Sequence, residues 1–146
     1  MRLTTKGQYG VKAMVDLAQH RDEGPISLKN VAKRQDISEH YLEQLAGGLR
    51  KAGLIKSVRG VQGGYVLAKE PEEIRIGDII RALEGPIAPV GCVSEGQQTV
   101  CQKARTCRTR PIWEKVRDSI AEVVDAITLA EAIKDEEIIQ QTVEEG

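Results

Sequence analysis

The sequence predicts a mainly α fold with one small β-hairpin: a winged helix-turn-helix followed by a long helix suited to dimerisation. Three observations carry that prediction. Two short helical periodicities joined by a few residues lie between Ser27 and Gly53, which is the layout of a helix-turn-helix. Two strand-like runs flanking the glycine-rich stretch Gly60 to Gly64 follow at once. Near the other end, apolar residues recur at alternating spacings of three and four from Trp113 to Ala130, the repeat of a helix that buries one seam against a partner.

Taken in order, LTTKGQYGVKAMVDLAQHR sets Tyr9, Val11, Met14, Leu17 and Ala18 near helical spacing before Gly24-Pro25 stops it. Ser27 is the N-cap of a short helix with Leu28, Val31 and Ala32 inward, closing near Asp36. Ser38 caps the next, in which Tyr41, Leu42, Leu45, Leu49 and Ala52 keep helical intervals until Gly53. Leu54 to Arg59 and Tyr65 to Leu67 then form a hairpin whose glycines let the chain turn and approach phosphate closely. In a winged helix the second of the two short helices enters the major groove, while the wing lies along the backbone or minor groove. Beyond the break at Pro71, Ile76, Ile79, Ile80 and Leu83 mark another helix, ended by Gly85-Pro86.

The polar stretch GCVSEGQQTVCQKARTC follows and contains all three cysteines, Cys92, Cys101 and Cys107. It lacks apolar periodicity and reads as a surface loop. Thiols gathered on a loop converge on a metal, on each other or on an oxidant, whereas scattered buried thiols are inert. Three thiolates do not complete a four-sulfur site, so a fourth ligand comes from elsewhere or one position is open. Thr109 and Pro111 start the last helix. Its apolar stripe, Trp113, Val116, Ile120, Val123 and Ile127, is expected at a dimer interface, with packing on its own domain as the alternative. A capping box from Thr128 to Glu131 predicts a kink or restart there. The chain thus divides into 1–85 for DNA binding, 86–110 as the cysteine-bearing sensor loop, and 111–146 as the dimerisation helix with an acidic tail.

The net charge of −1 hides an asymmetry: residues 1–69 carry +6 (twelve Lys/Arg, six Asp/Glu) and residues 70–146 carry −7 (nine and sixteen). A basic first half is the footprint of a nucleic-acid binder. No apolar run approaches the ~18 residues of a membrane span and no secretory leader is evident, so a cytoplasmic protein without membrane partners is expected. In that reducing compartment clustered cysteines favour metal binding or redox sensing over structural disulfides. An enzyme is not expected. The two histidines, His20 and His40, stand far from the cysteines in sequence, and the glycines at 60–64 lead into a strand rather than a helix, unlike a nucleotide-binding loop.

Several blocks carry a family resemblance: MRLTTKGQYGVKAMVDLA, SEHYLEQLAGGLRKAGLIKSVRGVQGGYVLAKEP, IGDIIRALEGPI, and three loop cysteines before a Trp-bearing helix. Together, over residues 1 to about 133, they resemble the Rrf-type bacterial winged-helix transcriptional regulators, a group that includes iron-sulfur, nitric-oxide and cysteine-metabolism regulators. The resemblance implies a homodimer on a palindromic operator of double-stranded DNA. It also implies a reading helix over Ser38 to Arg50, with Ser38, His40, Tyr41, Glu43 and Gln44 toward the groove; core packing is the alternative for Tyr41. Glu43 suits cytosine N4, and Arg59 at the wing suits a narrow minor groove. Arg2, Lys6, Lys29, Lys33, Arg50, Lys51 and Lys56 are expected to neutralise backbone phosphates.

For the loop, the resemblance implies a labile 2Fe-2S cluster on Cys92, Cys101 and Cys107. The spacing departs from cluster-binding relatives, with eight residues in the first gap instead of five. Arg110 stands where an iron-sulfur regulator has histidine, and Gln8 stands where others have an acidic ligand from the partner subunit. Glu95 and Glu114 are the remaining local oxygen donors, and a thiol or water from solution is another. The alternative function is a cluster-free, thiol-redox or partner-regulated repressor of sulfur or cysteine metabolism. A structural zinc module is a further rival.

Overall fold

The computed structural model describes residues 3–96 and 108–134. Its helices are α1 (Thr5–Gln19), α2 (Leu28–Gln35), α3 (Glu39–Lys51), α4 (Ile76–Glu84) and α5 (Arg110–Ala126), with strands β1 (Ile55–Val58) and β2 (Gly64–Leu67) between α3 and α4. The helix starts are set by short polar side chains. Thr4, Ser27 and Ser38 each accept a hydrogen bond from a first-turn N–H, of Lys6 (3.2 Å), Asn30 (3.2 Å) and Tyr41 (3.0 Å), satisfying donors that a helix leaves unpaired. Between α2 and α3 the turn is made by Asp36, held in the left-handed region at φ 54°, a conformation Asp tolerates better than most residues.

The two short helices and α1 surround a common core of Met14, Leu17, Ala18, Val31, Leu42, Leu45 and Leu49. Each large apolar side chain buried there contributes on the order of 1.5–3 kcal/mol. The helix α4 lies along α1 at short range. This is possible because Gly10 and Gly7 leave room on α1: a Cβ at Gly10 would strike the Leu83 side chain, and one at Gly7 would come within 3.2 Å of Glu84 Cγ. At the end of this contact Glu84 accepts hydrogen bonds from the Thr4 backbone N–H (2.8 Å) and the Thr4 hydroxyl.

The hairpin is antiparallel with Ile55 opposite Leu67 and Val58 opposite Gly64. It is not isolated. Tyr65 exchanges both backbone hydrogen bonds with Ile26, at 2.8 and 3.0 Å, so the residue just ahead of the α2 N-cap pairs with the hairpin as a single antiparallel bridge. Gly64 permits this, since a Cβ there would collide with the Ile26 carbonyl.

The expected break at Thr128 is present. The helix α5 ends at Ala126, Ile127 is extended, and Thr128 Oγ1 accepts from the Glu131 N–H at 3.2 Å as helix resumes over 129–134. The returning segment then joins the domain it came from: Leu129 N–H donates to Ile74 O (2.8 Å), and Leu129 and Ile133 are part of the main core. Of the repeat from Trp113 through Ile127 to Ala130, with its expected kink or restart near Thr128, the part within α5 therefore ends at Val123. Ile127 is half-buried at the turn, where its carbonyl accepts from Ile76 N–H at 2.9 Å.

Candidate nucleic-acid interface

One side of α3 is apolar and the other is not. Leu42, Leu45, Ala46 and Leu49 are buried, while His40, Glu43, Gln44, Gly47, Arg50 and Lys51 are exposed. With about 100° per residue, those exposed positions form one continuous arc. His40 and Gln44 sit within 3.4 Å of each other on it. Glu43 extends from the same arc, so three of the five residues expected toward the groove, His40, Glu43 and Gln44, share an exposed surface with Arg50 and Lys51, the residues expected on phosphates. Ser38 sits at the helix start, where its hydroxyl is committed to capping.

Tyr41 is different. It is half-buried, its ring stands edge-on to Tyr9 (centroids 5.8 Å apart, 87° between planes), and its hydroxyl lies 2.9 Å from Thr5 Oγ1. Packing between α1 and α3 is thus a role the structure gives it directly.

The hairpin projects beside this helix in sequence with Lys56, Val58, Arg59, Val61 and Gln62 exposed. Gly60 takes φ 118°, which a side chain would strain. Val61 at the tip is wholly exposed, an uncompensated apolar group on a basic arm. Lys29, Lys33 and Lys6 are also exposed; Arg2 lies outside the described residues.

The start of the cysteine loop is tied down by one arginine. Arg81 of α4 donates Nε and Nη2 to Glu95 (both 2.9 Å) and Nη1 and Nη2 to Asp125 of α5 (2.7 and 2.9 Å). Glu95 Oε2 also accepts from Ile87 N–H at 3.2 Å. Gly77 makes the space: a Cβ there would overlap Asp125 Oδ1. The Glu95 hydrogen bonds, then those of Asp125, raise the Arg81 pKa, and the same guanidinium holds both carboxyls below the usual range. Cys92 lies three residues before Glu95 on an exposed 3₁₀ turn, Gly91–Val93, that packs on α5 through buried Val93. Cys101 and Cys107 lie outside the described residues.

The residues considered for a fourth ligand each make a hydrogen bond within the chain, although that of Gln8 is made by its amide nitrogen and not by the oxygen that would ligate a metal. Glu95 is held by Arg81, Glu114 accepts from Arg110 Nε at 2.7 Å, and the Gln8 amide donates to Leu3 O at 3.0 Å. His20 sits 2.9 Å from Asp16 O. Among the described residues no three His, Cys, Asp or Glu side chains gather as a metal site.

Residues 3–135 match the family model of Rrf2, described as an iron-dependent transcriptional regulator. The chain belongs to the Rrf2 family of transcriptional regulators. Relatives of this Rrf2 chain include the HTH-type transcriptional regulator CymR of Bacillus subtilis (strain 168), 48% identical over 129 residues that cover 88% of this chain and 87% of CymR. The regulator IscR of Pectobacterium atrosepticum is 42% identical over 139 residues, 95% of this chain and 83% of its own. Among solved structures, T. potens IscR matches with a TM-score of 0.77 and 54% identity, covering 96% of this chain and 91% of that one. The winged-helix fold read from the sequence is therefore the fold of this Rrf2 chain, and its relatives are named as regulators, not enzymes.

The long helix of this Rrf2 chain has no fully buried residue. Ile112 (54% exposed), Trp113, Val116 and Val123 (58%) form an open apolar stripe, with Ile120 half-buried on it. Ile112 extends the expected seam. No helix is long and apolar enough to cross a membrane among the described residues.

Sequence reasoning missed the buried carboxylate Asp16, fully enclosed beneath α2 and bound by Arg34 (2.9 and 2.7 Å) and Gln35 (3.1 Å). Burial pushes its pKa up, but the Arg34 and Gln35 hydrogen bonds and the nearby positive charge outweigh burial and lower it. An Asp in the apolar periodicity of α1 was the available signal. The Arg81 clamp had none, because its two partners are separated from it by 14 and 44 positions.

Proposed function

We propose that this chain is a dimeric DNA-binding regulator whose α3 reads the major groove and whose cysteine loop senses iron-sulfur or redox status. The observation that carries the first part is the polar outward arc of α3 set directly opposite its buried leucines. A helix that protrudes one polar face beyond its own core, followed by an exposed basic hairpin, suits a groove about 12 Å wide. In this reading Glu43 accepts from cytosine N4, His40 and Gln44 contact base edges, Ser38 and Tyr41 lie at the backbone, and Arg59 enters the minor groove. Arg2, Lys29, Arg50 and Lys56 neutralise phosphates. Two copies related along the exposed face of α5 would address a palindromic operator.

For the sensor, support comes from the restriction of all three thiols to one loop beginning beside α5. Three thiolates suit the iron of a 2Fe-2S cluster, which they would hold through Cys92, Cys101 and Cys107. When bound, such a cluster supplies a redox- and iron-dependent constraint on the loop. The protein's own contribution is the Arg81 bridge from loop to α4 and α5, the route by which loop geometry reaches the reading head. The likeness to CymR, the global cysteine regulator of B. subtilis, favours the second reading: a cluster-free regulator of cysteine metabolism responding through its thiols or a protein partner.

One set of measurements separates them. Protein purified without oxygen is assayed for iron and visible sulfur-to-iron absorption, and DNA affinity is compared for iron-loaded, reduced and oxidised forms. Iron with charge-transfer bands and an affinity that follows them supports the cluster. Affinity that follows only thiol oxidation, or neither, supports the second reading. For the helix, Glu43→Ala alters sequence preference while Arg59→Ala weakens binding to all sequences; full affinity and unchanged preference in Glu43→Ala refute the Glu43 role.

A further inference from the structure

The helical glycines of this protein divide into two kinds. Gly7, Gly10, Gly48 and Gly77 each face a neighbour that a Cβ would press: Glu84, Leu83, Leu83 at 3.0 Å, and Asp125, respectively. Gly47 faces nothing within 4 Å, and its φ is not in the left-handed region. It lies in the interior of α3, where glycine is among the poorest helix formers. Among the described residues nothing requires a glycine there.

Its place on the helix is specific. Leu49 and Leu42 occupy the opposite side, so Gly47 is at the middle of the outward arc. Its surface neighbours at three and four positions on either side are Glu43, Gln44, Arg50 and Lys51, all exposed. The result is a dimple in the helix surface, rimmed by four polar side chains, two of them cationic.

Resting on the reading of α3 as the groove-facing helix, we infer that Gly47 is a close-approach position for duplex DNA: the absent side chain lets the α3 backbone descend until its four neighbours reach base edges and phosphates together. Gly47 contacts no base through a side chain of its own. It sets the depth at which the reading helix sits, and hence which of its neighbours can read sequence. With Arg50 and Lys51 against the single carboxylate of Glu43 the rim is net positive, which favours DNA as the occupant over a second copy of this chain, whose exposed stripe on α5 is apolar.

The test uses full-length protein and a duplex selected by the wild type from a randomised pool. Gly47→Ala and Gly47→Leu are expected to raise the melting temperature, because both residues favour helix over glycine. The same variants are expected to bind the duplex more weakly, by at least about tenfold for Gly47→Leu. Opposite signs in stability and affinity are the signature, since a merely structural position would move both together. Wild type that binds a duplex while Gly47→Leu binds it equally well overturns this inference and leaves the groove-facing helix intact. Wild type that binds no duplex overturns both. A changed oligomeric state of Gly47→Leu in light scattering assigns this face to a second copy and also overturns the inference.

Discussion

Removing Arg34 should expose how much of the fold rests on one buried charge. In Arg34→Ala the Asp16 carboxylate, fully buried in the wild type, loses both arginine hydrogen bonds and keeps, among the described residues, the Gln35 hydrogen bond and the nearby His20 ring. Breaking a buried pair in this way costs about 3–5 kcal/mol. Protonation sets a ceiling: neutralising a carboxyl of ordinary pKa ~3.9 at pH 7 costs about 4 kcal/mol, at ~1.4 kcal/mol per pH unit. The expected loss is therefore roughly 3–4 kcal/mol at pH 7, falling to ~1.5 kcal/mol at pH 5 as the proton becomes easier to supply. The wild type behaves oppositely. Its Asp16 pKa is depressed in the folded state, so the carboxylate stabilises the fold above the unfolded pKa and that contribution is lost as pH falls through the folded value. Urea unfolding of both proteins at equal concentration and several pH values measures this. A deficit under ~1 kcal/mol, or one that does not shrink between pH 7 and 5, would refute the assignment of Asp16 as a buried, arginine-dependent charge.

Three further outcomes are expected. Tyr41→Phe should cost about 0.5–1.5 kcal/mol in urea unfolding through loss of the Thr5 contact; unchanged stability with weaker DNA binding would move the hydroxyl from packing to recognition. Arg81→Met should loosen α5 and the loop start, costing about 1–3 kcal/mol. Because Glu95 and Asp125 are depressed by Arg81, its deficit should be present above the ordinary carboxylate range and vanish as both protonate below it. An acid-independent deficit in the pH series counts against the clamp. Val123→Asp should shift the protein toward monomer in light scattering while circular dichroism stays unchanged, since Val123 is 58% exposed and lies outside the main core cluster; an unaltered mass would remove α5 as the association surface.

What could be read from the sequence follows the range of the interactions. Caps at Ser27 and Ser38, the stop at Gly53 and the restart at Thr128 are encoded within four residues of where they act, and each is present. The polar arc of α3 was legible too, because periodicity alone separates its two faces. Long-range partners were not. Arg81 gives no local hint that it spans the loop and α5, and Glu95 looks like an available ligand until the guanidinium that holds it comes into view. The course of the chain after Thr128 was also hidden: the capping box marks a restart but carries no direction, so the return of Leu129 and Ile133 to the core needed coordinates.

That return gives α5 a mechanical character. A helix leaving a domain at one end only is a flexible stalk, but this one is pinned near its far end by Asp125 and by the chain doubling back beneath Ile74. It behaves as a ruler bolted to the body that carries α3. Whatever docks along its open stripe inherits a fixed offset to that helix, and a copy of the chain docking there would convert the offset into a set distance between two reading heads. Spacing along DNA would then be written in the length of α5 and the position of its last turn, where a single inserted residue would rephase both heads without altering either one.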